Sequence, residues 1–284
     1  MSKYVIVAES GADISPDMVE RYGLQIVPMH VTIGDTTVDD GSISGGEIYA
    51  RCDELGVMPR TSAATIHDFM VHFDRIHEDM PEATIIYLAY SAATTCSYES
   101  ALNAAADRDY VVAIDTKSCS IGQSLVVRRT AEFIEENPDA TVDEVMAFVE
   151  HVRDRVAVGF VPSDLAFLRA GGRLSNAKFR GAHLLKIKPV IEIVDGTFVA
   201  TKKLRGSMAK ASVAYLDHMV AKGKMNMERI GLAYSHGLAE DIKLTVEEHV
   251  RELGFASFDW VEVGGVISSH CGPNAFGAVM ELAR

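Results

Sequence analysis

Two short segments of the 284-residue chain concentrate hydroxyl groups where helices are expected to begin. Pro59-Arg60-Thr61-Ser62-Ala63 lies just ahead of an amphipathic pattern starting near Thr65. Ser91-Ala92-Ala93-Thr94-Thr95-Cys96-Ser97 lies between a strand-like run, Thr84–Tyr90, and an Ala-rich helical pattern. The first N–H groups of a helix have no intrahelical acceptor and sit at the positive end of the helix dipole, so both segments suit an anion. Taken singly, Thr61, Ser62 and Ser97 are each accounted for as N-caps. Four hydroxyls and a thiol in the seven residues from Ser91 to Ser97 exceed what one cap requires.

Two further segments carry candidate donors. Ser268-Ser269-His270-Cys271-Gly272-Pro273 follows a strand-like run, Val266–Ser269, and places His270 beside a glycine and a proline that shape the backbone. His236, in Tyr234-Ser235-His236-Gly237, has a similar setting but reads as an ordinary loop histidine. Gly171-Gly172-Arg173-Leu174-Ser175 offers a guanidinium fork suited to carboxylate or phosphate. On spacing alone it reads as a glycine helix stop followed by a surface arginine. The chain has no G-x-x-x-x-G-K-[ST] loop, no G-x-G-x-x-G after its first strand, no G-x-S-x-G elbow, and no H-E-x-x-H or EF-hand spacing. These absences weigh against nucleotide, dinucleotide, hydrolase-elbow and metal sites. Asp39-Asp40 reads as a solvated turn.

The elements that must position these residues alternate in the first half. Tyr4–Ala8, Leu24–Pro28, Thr84–Tyr90 and Tyr110–Ile114 are buried strands. Gly46–Leu55, Thr65–Glu78, Ser97–Arg108, Gly122–Glu136 and Thr141–Arg155 are helices, and Ser15-Pro16 gives an N-cap followed by proline. Thr141 with Glu144 has capping-box spacing. Such alternation predicts a mostly parallel sheet with helices on both faces, with Ser91–Ser97 and Pro59–Ala63 beyond the carboxyl ends of its strands. The second half reads as strands Val156–Val161, Arg229–Tyr234, Ser257–Val263 and Val266–Ser269. Its helices are Ser163–Ala170, near Ala177–Leu185, Met208–Ala221 and Ala239–Leu253. Asp195-Gly196 joins Lys188–Val194 to Thr197–Lys203 as a hairpin. The fold class is therefore α/β in two domains: a parallel one over residues 1–160 and a mixed one over 161–284.

Composition narrows the function classes. With 48% hydrophobic and 24% charged residues the chain can bury a core. A net charge of -13 disfavours phosphate backbones and anionic membranes. Cys52, Cys96, Cys119 and Cys271 include no C-x-x-C pair and read as free thiols. No stretch approaches the roughly 20 apolar residues of a membrane span. The opening MSKYVIVAES runs directly into a strand, and the expected location is cytoplasmic.

These segments, taken together, resemble the DegV family of bacterial fatty-acid-binding proteins over essentially the whole chain. The matching landmarks are Ala8–Ile14, Pro28, Thr61-Ser62, Ser91–Ala101, Ile114-Asp115-Thr116, Gly122, Phe167–Ser175, Lys186–Pro189, Arg205 and His270–Pro273, in the family's order. The resemblance implies a fatty acid as ligand and no further cofactor. Its carboxylate would be held between the domains by Thr61, Ser62, Thr95, Cys96 and Ser97 near His270, and its tail would lie in an apolar tunnel of the second domain. It implies a non-catalytic role: a dissociable ATP-dependent kinase would phosphorylate the bound carboxylate to an acyl phosphate. Arg173 would face that kinase, with Ser91, Thr94, Ser269 and Gly272 in secondary places. The chain departs from the pattern at Glu9, which replaces an aspartate, at Thr95, which replaces a serine, and at Cys96, which replaces a glycine. A positive φ at Cys96 would cost about 1–2 kcal/mol. Two alternatives stay open: a hydrolase or acyltransferase using Ser91, Cys96 or Ser97 with His270, and a binder of another carboxylate or phosphate.

Overall fold

A computed structural model of the chain describes residues 3–173 and 187–283. The helix expected near 177–185, and Leu174, Ser175 and Lys186 of the motifs above, lie outside the described residues. The first sheet has the order β2-β1-β6-β7, built from β1 (Tyr4–Glu9), β2 (Gln25–Val27), β6 (Thr84–Ala89) and β7 (Val111–Asp115), all parallel. The run Tyr4–Glu9 is buried at every position because both faces are covered. Val5 and Val7 pack with Phe69 and Phe73 of α3 (Ile66–Asp79) and with Ala101 of α4 (Ser97–Ala105). Tyr4, Ile6 and Ala8 pack with Leu125 and Val126 of α5 (Ser120–Glu136) and with Val145 and Val149 of α6 (Val142–Arg153). The capping signals hold: Ser15 caps α1 (Pro16–Tyr22), and Thr141 and Glu144 form the full box at α6.

The second sheet is mixed, in the order β10-β9-β8-β13-β11-β12. Its strands are β8 (Val156–Val161), β9 (Ile187–Val194), β10 (Thr197–Arg205), β11 (Ile230–Tyr234), β12 (Phe258–Glu262) and β13 (Phe276–Glu281). The β9–β10 hairpin is antiparallel, and Asp195 and Gly196 have φ of 48° and 77°, as a two-residue turn of the primed type requires. Further helices in this half are α7 (Ala166–Ala170), α8 (Met208–Val220), α9 (Glu240–Glu252) and α10 (Gly265–Cys271). Helix α5 lies between the two sheets and touches β1, β6, β8, β11 and β13. It is therefore largely buried from Ile121 to Ala131, with Ser124, Arg128 and Arg129 half-buried.

Three expectations are corrected. Val266–Ser269 is not a strand but part of α10, which ends at Gly272 with φ 71°. A short apolar run does not by itself separate strand from buried helix. The strand between β8 and β11 is instead β13, whose Phe-Gly-Ala-Val-Met-Glu sequence carries one β-branched residue and hides the signal. Pro59–Ala63 is not a helix-start loop of the parallel sheet. Arg60–Ser62 is β5 of a small antiparallel sheet, β4-β3-β5, with β3 (His30–Ile33) and β4 (Thr36–Asp39). The hydroxyl that caps α3 is Thr65, in a box with Asp68. The small sheet packs on α2 (Gly45–Leu55) and α10.

Candidate functional site

The central contact joins the small sheet to α10. Thr61 Oγ1 lies 2.8 Å from His270 Nε2. Register places Thr61 opposite Val31, a fully buried residue of β3 that fixes the strand. His270 stands in the last turn of α10. The other ring nitrogen, Nδ1, is shut off from solvent and has no hydrogen-bond partner. It packs on Gly171, where an added Cβ would fall well inside van der Waals contact with the ring. A buried N–H without an acceptor is rarer than a buried acceptor without a donor. The proton therefore belongs on Nε2, which donates to Thr61 Oγ1 and leaves the Thr61 proton to donate onward. Burial, assisted by the positive charge of Arg173, lowers the His270 pKa to about 3, so the ring is neutral at ordinary pH.

Arg173 donates from its two terminal nitrogens to Gly171 O at 2.9 Å and to Thr94 O at 3.2 Å. Both acceptors are neutral carbonyls, so the guanidinium charge is uncompensated by any carboxylate among the described residues. The bond to Thr94 brings the hydroxyl-rich loop beside the Thr61–His270 pair. Arg173 and His270 both line a cavity between the sheets, whose wall is otherwise mainly apolar: Ile121, Val158, Phe160, Ile193, Phe198 and Ile267 are among its residues. A mostly apolar cavity with polar groups gathered at one place is the general design of a small-molecule site.

The remaining sequence candidates hold structural places. Ser91 is buried and donates to Gly196 O at 2.7 Å, docking the loop on the β9–β10 hairpin. Thr94 Oγ1 turns back to Ser91 O. Thr95 Oγ1 accepts from Ser97 N at 3.3 Å and sits 3.3 Å from Ser97 Oγ. Cys96 is exposed with φ -90°, so the expected left-handed strain is absent and no glycine is needed there. Ser62 is exposed. Ser269 donates within α10 to Gly265 O. Gly272, with φ 71°, ends α10 against the ring of Phe167. Of the six residues expected at the carboxylate only His270 is in the cavity wall; Thr61, Ser62, Thr95, Cys96 and Ser97 are not.

Asp40, expected in a solvated turn, is in fact buried and accepts from Val266 N at 3.1 Å. Asp13, with φ 50°, accepts from Ser120 Oγ and from Gly264 N. The two carboxylates thus satisfy the first N–H groups of α10, which short-range capping leaves unmet. Burial pushes Asp13 up to about 7. Glu9 is fully buried under Tyr87 Oη at 2.5 Å, Tyr90 N at 3.0 Å and Gln123 Nε2 at 2.9 Å, and burial raises its pKa as well. It braces Tyr90, whose ring lines the cavity. Sequence reasoning missed Tyr90, Cys119 and Ser120 as wall residues. A polar Gln123 within the buried stretch Ile121–Val127 was the available signal for the Glu9 network.

A family model described as "Uncharacterised protein, DegV family" matches residues 3–282. A DegV domain-containing protein of Caldanaerobacter subterraneus subsp. tengcongensis is 29% identical over 99% of both chains. Among solved structures, one described as "Fatty Acid Binding of a DegV family Protein from Thermus thermophilus" is 28% identical, with a TM-score of 0.87 over 99% of this chain and 100% of that one. The fold is also that of the fatty acid kinase B3 protein of Streptococcus pneumoniae loaded with linoleic acid, at 20% identity, TM-score 0.84 and full coverage of both chains.

Proposed function

Because the chain belongs to the DegV family, we propose that it binds a long-chain fatty acid and presents the carboxylate to a separate ATP-dependent kinase, which converts it to an acyl phosphate. The observation that carries this reading is the mainly apolar cavity with His270 and Arg173 at its polar end and Thr61 in contact with His270 behind it. An acyl chain placed there gains about 0.8 kcal/mol per buried CH₂, so the tail supplies the affinity and the head group needs only orientation. Thr61, held by His270, donates to the carboxylate. The loop Thr94-Thr95-Cys96-Ser97, with Ser62, closes round it, and Ser91 and Gly272 fix the backbones on either side. Arg173, with no carboxylate partner among the described residues, meets the phosphoryl group that the kinase brings. Neutral donors leave the carboxylate oxygen nucleophilic, whereas a tightly paired lysine would not. The chain divides near residues 155–165, after α6, and acts in the cytoplasm with the kinase as a dissociable partner.

A hydrolase is disfavoured by a specific observation. The partner of His270 is Thr61, Ser91 is committed to Gly196 O, and an imidazole with a pKa of about 3 is too weak a general base near neutrality. The test is native mass spectrometry of the purified protein, followed by denaturation and identification of the released molecule. About one fatty acid per chain, lowered in a Thr61→Ala/Thr95→Ala double variant, is the expected result. A protein that is empty and takes up no added fatty acid would reject the reading.

A further inference from the structure

Asp13 stands between two spaces. It lines an open groove beside α5, together with Asp17, Arg21 and Arg128, and is 7% exposed. Solvent protons therefore reach it from the groove. Its hydrogen-bond partner Ser120, at the start of α5, lines the cavity instead. Oδ2 of Asp13 accepts from Ser120 Oγ. Oδ1 accepts from Gly264 N at 2.7 Å, just ahead of α10, the helix that carries His270.

The bond to Ser120 can run in two directions, and the protonation of Asp13 selects between them. An ionised carboxylate only accepts, so Ser120 then spends its proton on Asp13. A protonated carboxyl must place its proton where an acceptor waits. Oδ1 already faces the Gly264 N–H, so the proton goes to Oδ2 and is donated to Ser120 Oγ. The Ser120 proton is thereby released, and the cavity wall gains a donor.

Charge acts in the same sense. Tyr90 and Cys119, both in the cavity wall, feel the charges of Asp13 and Arg173 alike, so Asp13 lies within electrostatic reach of the polar end. Asp40 faces Asp13 across Gly264, where an added Cβ would stand 3.3 Å from Asp13 Oδ1 and 3.4 Å from Asp40 Oδ1. Asp40 Oδ2 is buried without a hydrogen-bond partner, and burial raises the pKa of this carboxyl too. Two acids so placed resist carrying two charges, and burial with this neighbour puts Asp13 at about 7. The cavity groups near it keep their state between pH 6 and 8. Burial pushes the thiols of Cys119 and Cys271 to about 12 and raises Tyr90, and His270, near 3, is neutral. On the groove side Asp13 faces Asp17 and the ion pairs Arg21–Glu135, Arg128–Glu132 and Arg229–Asp259.

We propose that Asp13 is a positioning residue that couples ligand binding to pH: its protonation frees Ser120 to donate into the cavity and removes a negative charge within reach of the ligand carboxylate. The proposal rests on the fatty-acid reading above and adds to it a proton taken up with the ligand. Binding is tight below pH 7 and weakens above it.

The experiment measures the affinity of the full chain, stripped of lipid, for a fluorescent fatty acid at pH 6 and pH 8, below the concentration at which the ligand aggregates. For wild type the affinity should fall about tenfold from pH 6 to pH 8, the change in the protonated fraction of a group near pH 7. Asp13→Asn, neutral at every pH, should show no such fall. Ser120→Ala, with no hydroxyl to turn, should show a smaller fall than wild type. Calorimetry of wild type at pH 7, in two buffers of different ionisation enthalpy, should show uptake of about half a proton per ligand. This measurement stands even if Asp13→Asn does not fold. Equal wild-type affinities at the two pH values, or no proton uptake, overturn the proposal and leave fatty-acid binding intact. A full wild-type fall in Asp13→Asn or in Ser120→Ala overturns it as well, since the titrating group or the relay would lie elsewhere. A wild type that binds no fatty acid at either pH removes the binding reading itself.

Discussion

Thr61 Oγ1 and His270 Nε2 are 2.8 Å apart although 209 residues separate them in the chain. With His270 donating, the Thr61 hydroxyl becomes a directed donor. Thr61→Val should lower fatty-acid affinity by about tenfold, the worth of one hydrogen bond to a charged acceptor, and Thr61→Ser should retain most of it. Displacement of a fluorescent fatty acid measures both. Equal affinities for wild type and Thr61→Val would reject the role.

The same pair makes a spectroscopic prediction. With its pKa near 3, His270 should stay neutral, protonated on Nε2, throughout pH 5–8. Nitrogen-15 imidazole shifts report this directly, and a His270 titration near 6.5 would contradict it. The unfolded chain takes up this proton below about 6.5 and the folded chain only near 3. His270 therefore subtracts stability progressively as pH falls through that window.

Asp13 acts with the opposite sign. Its carboxyl is raised to about 7 from an ordinary value of 3.8, so between those pH values the folded state binds the proton more than the unfolded state. Its burial is costly above pH 7 and is relieved on acidification. In Asp13→Asn this contribution is absent, and asparagine tolerates the φ of 50°. The stability of wild type relative to Asp13→Asn should rise as pH falls from 8 to 5, measured by chemical denaturation. A constant difference would count against the assignment.

Gly171 and Gly172 should separate sharply when each is changed to alanine. Gly171 has no room, since a Cβ there runs into His270. Its substitution should displace the ring and weaken fatty-acid binding by more than tenfold, on the scale of a lost charged hydrogen bond. Gly172 has open space but φ 70°, so its substitution should cost about 1–2 kcal/mol of stability and leave binding near wild type. Binding assays together with thermal melts distinguish the two.

Tyr87→Phe removes a donor from the fully buried Glu9. A loss of about 1–3 kcal/mol is expected, read by denaturant unfolding.

Features that rest on neighbours a few residues apart were legible in the chain alone. The buried run Tyr4–Glu9, the caps at Ser15 and Thr141, and the turn at Asp195-Gly196 all formed where their local chemistry places them. The order of motifs also made the family legible before any coordinate. The rest was not legible there, because the contacts that set it are remote in the chain. Residues 265–271 form a helix because its first N–H groups are met by Asp13 and Asp40, 251 and 226 residues away. Phe276–Glu281 is a strand because β8 and β11 flank it, and its buried Glu281 is tolerated because Arg129 and Arg155 lie within 3.3 Å and 3.2 Å. Thr61 is a site residue rather than a helix cap because β3 holds it in register opposite Val31 and α10 brings His270 to it. Propensity acts within a turn or two of chain, whereas register and burial are set by partners that only the completed fold supplies.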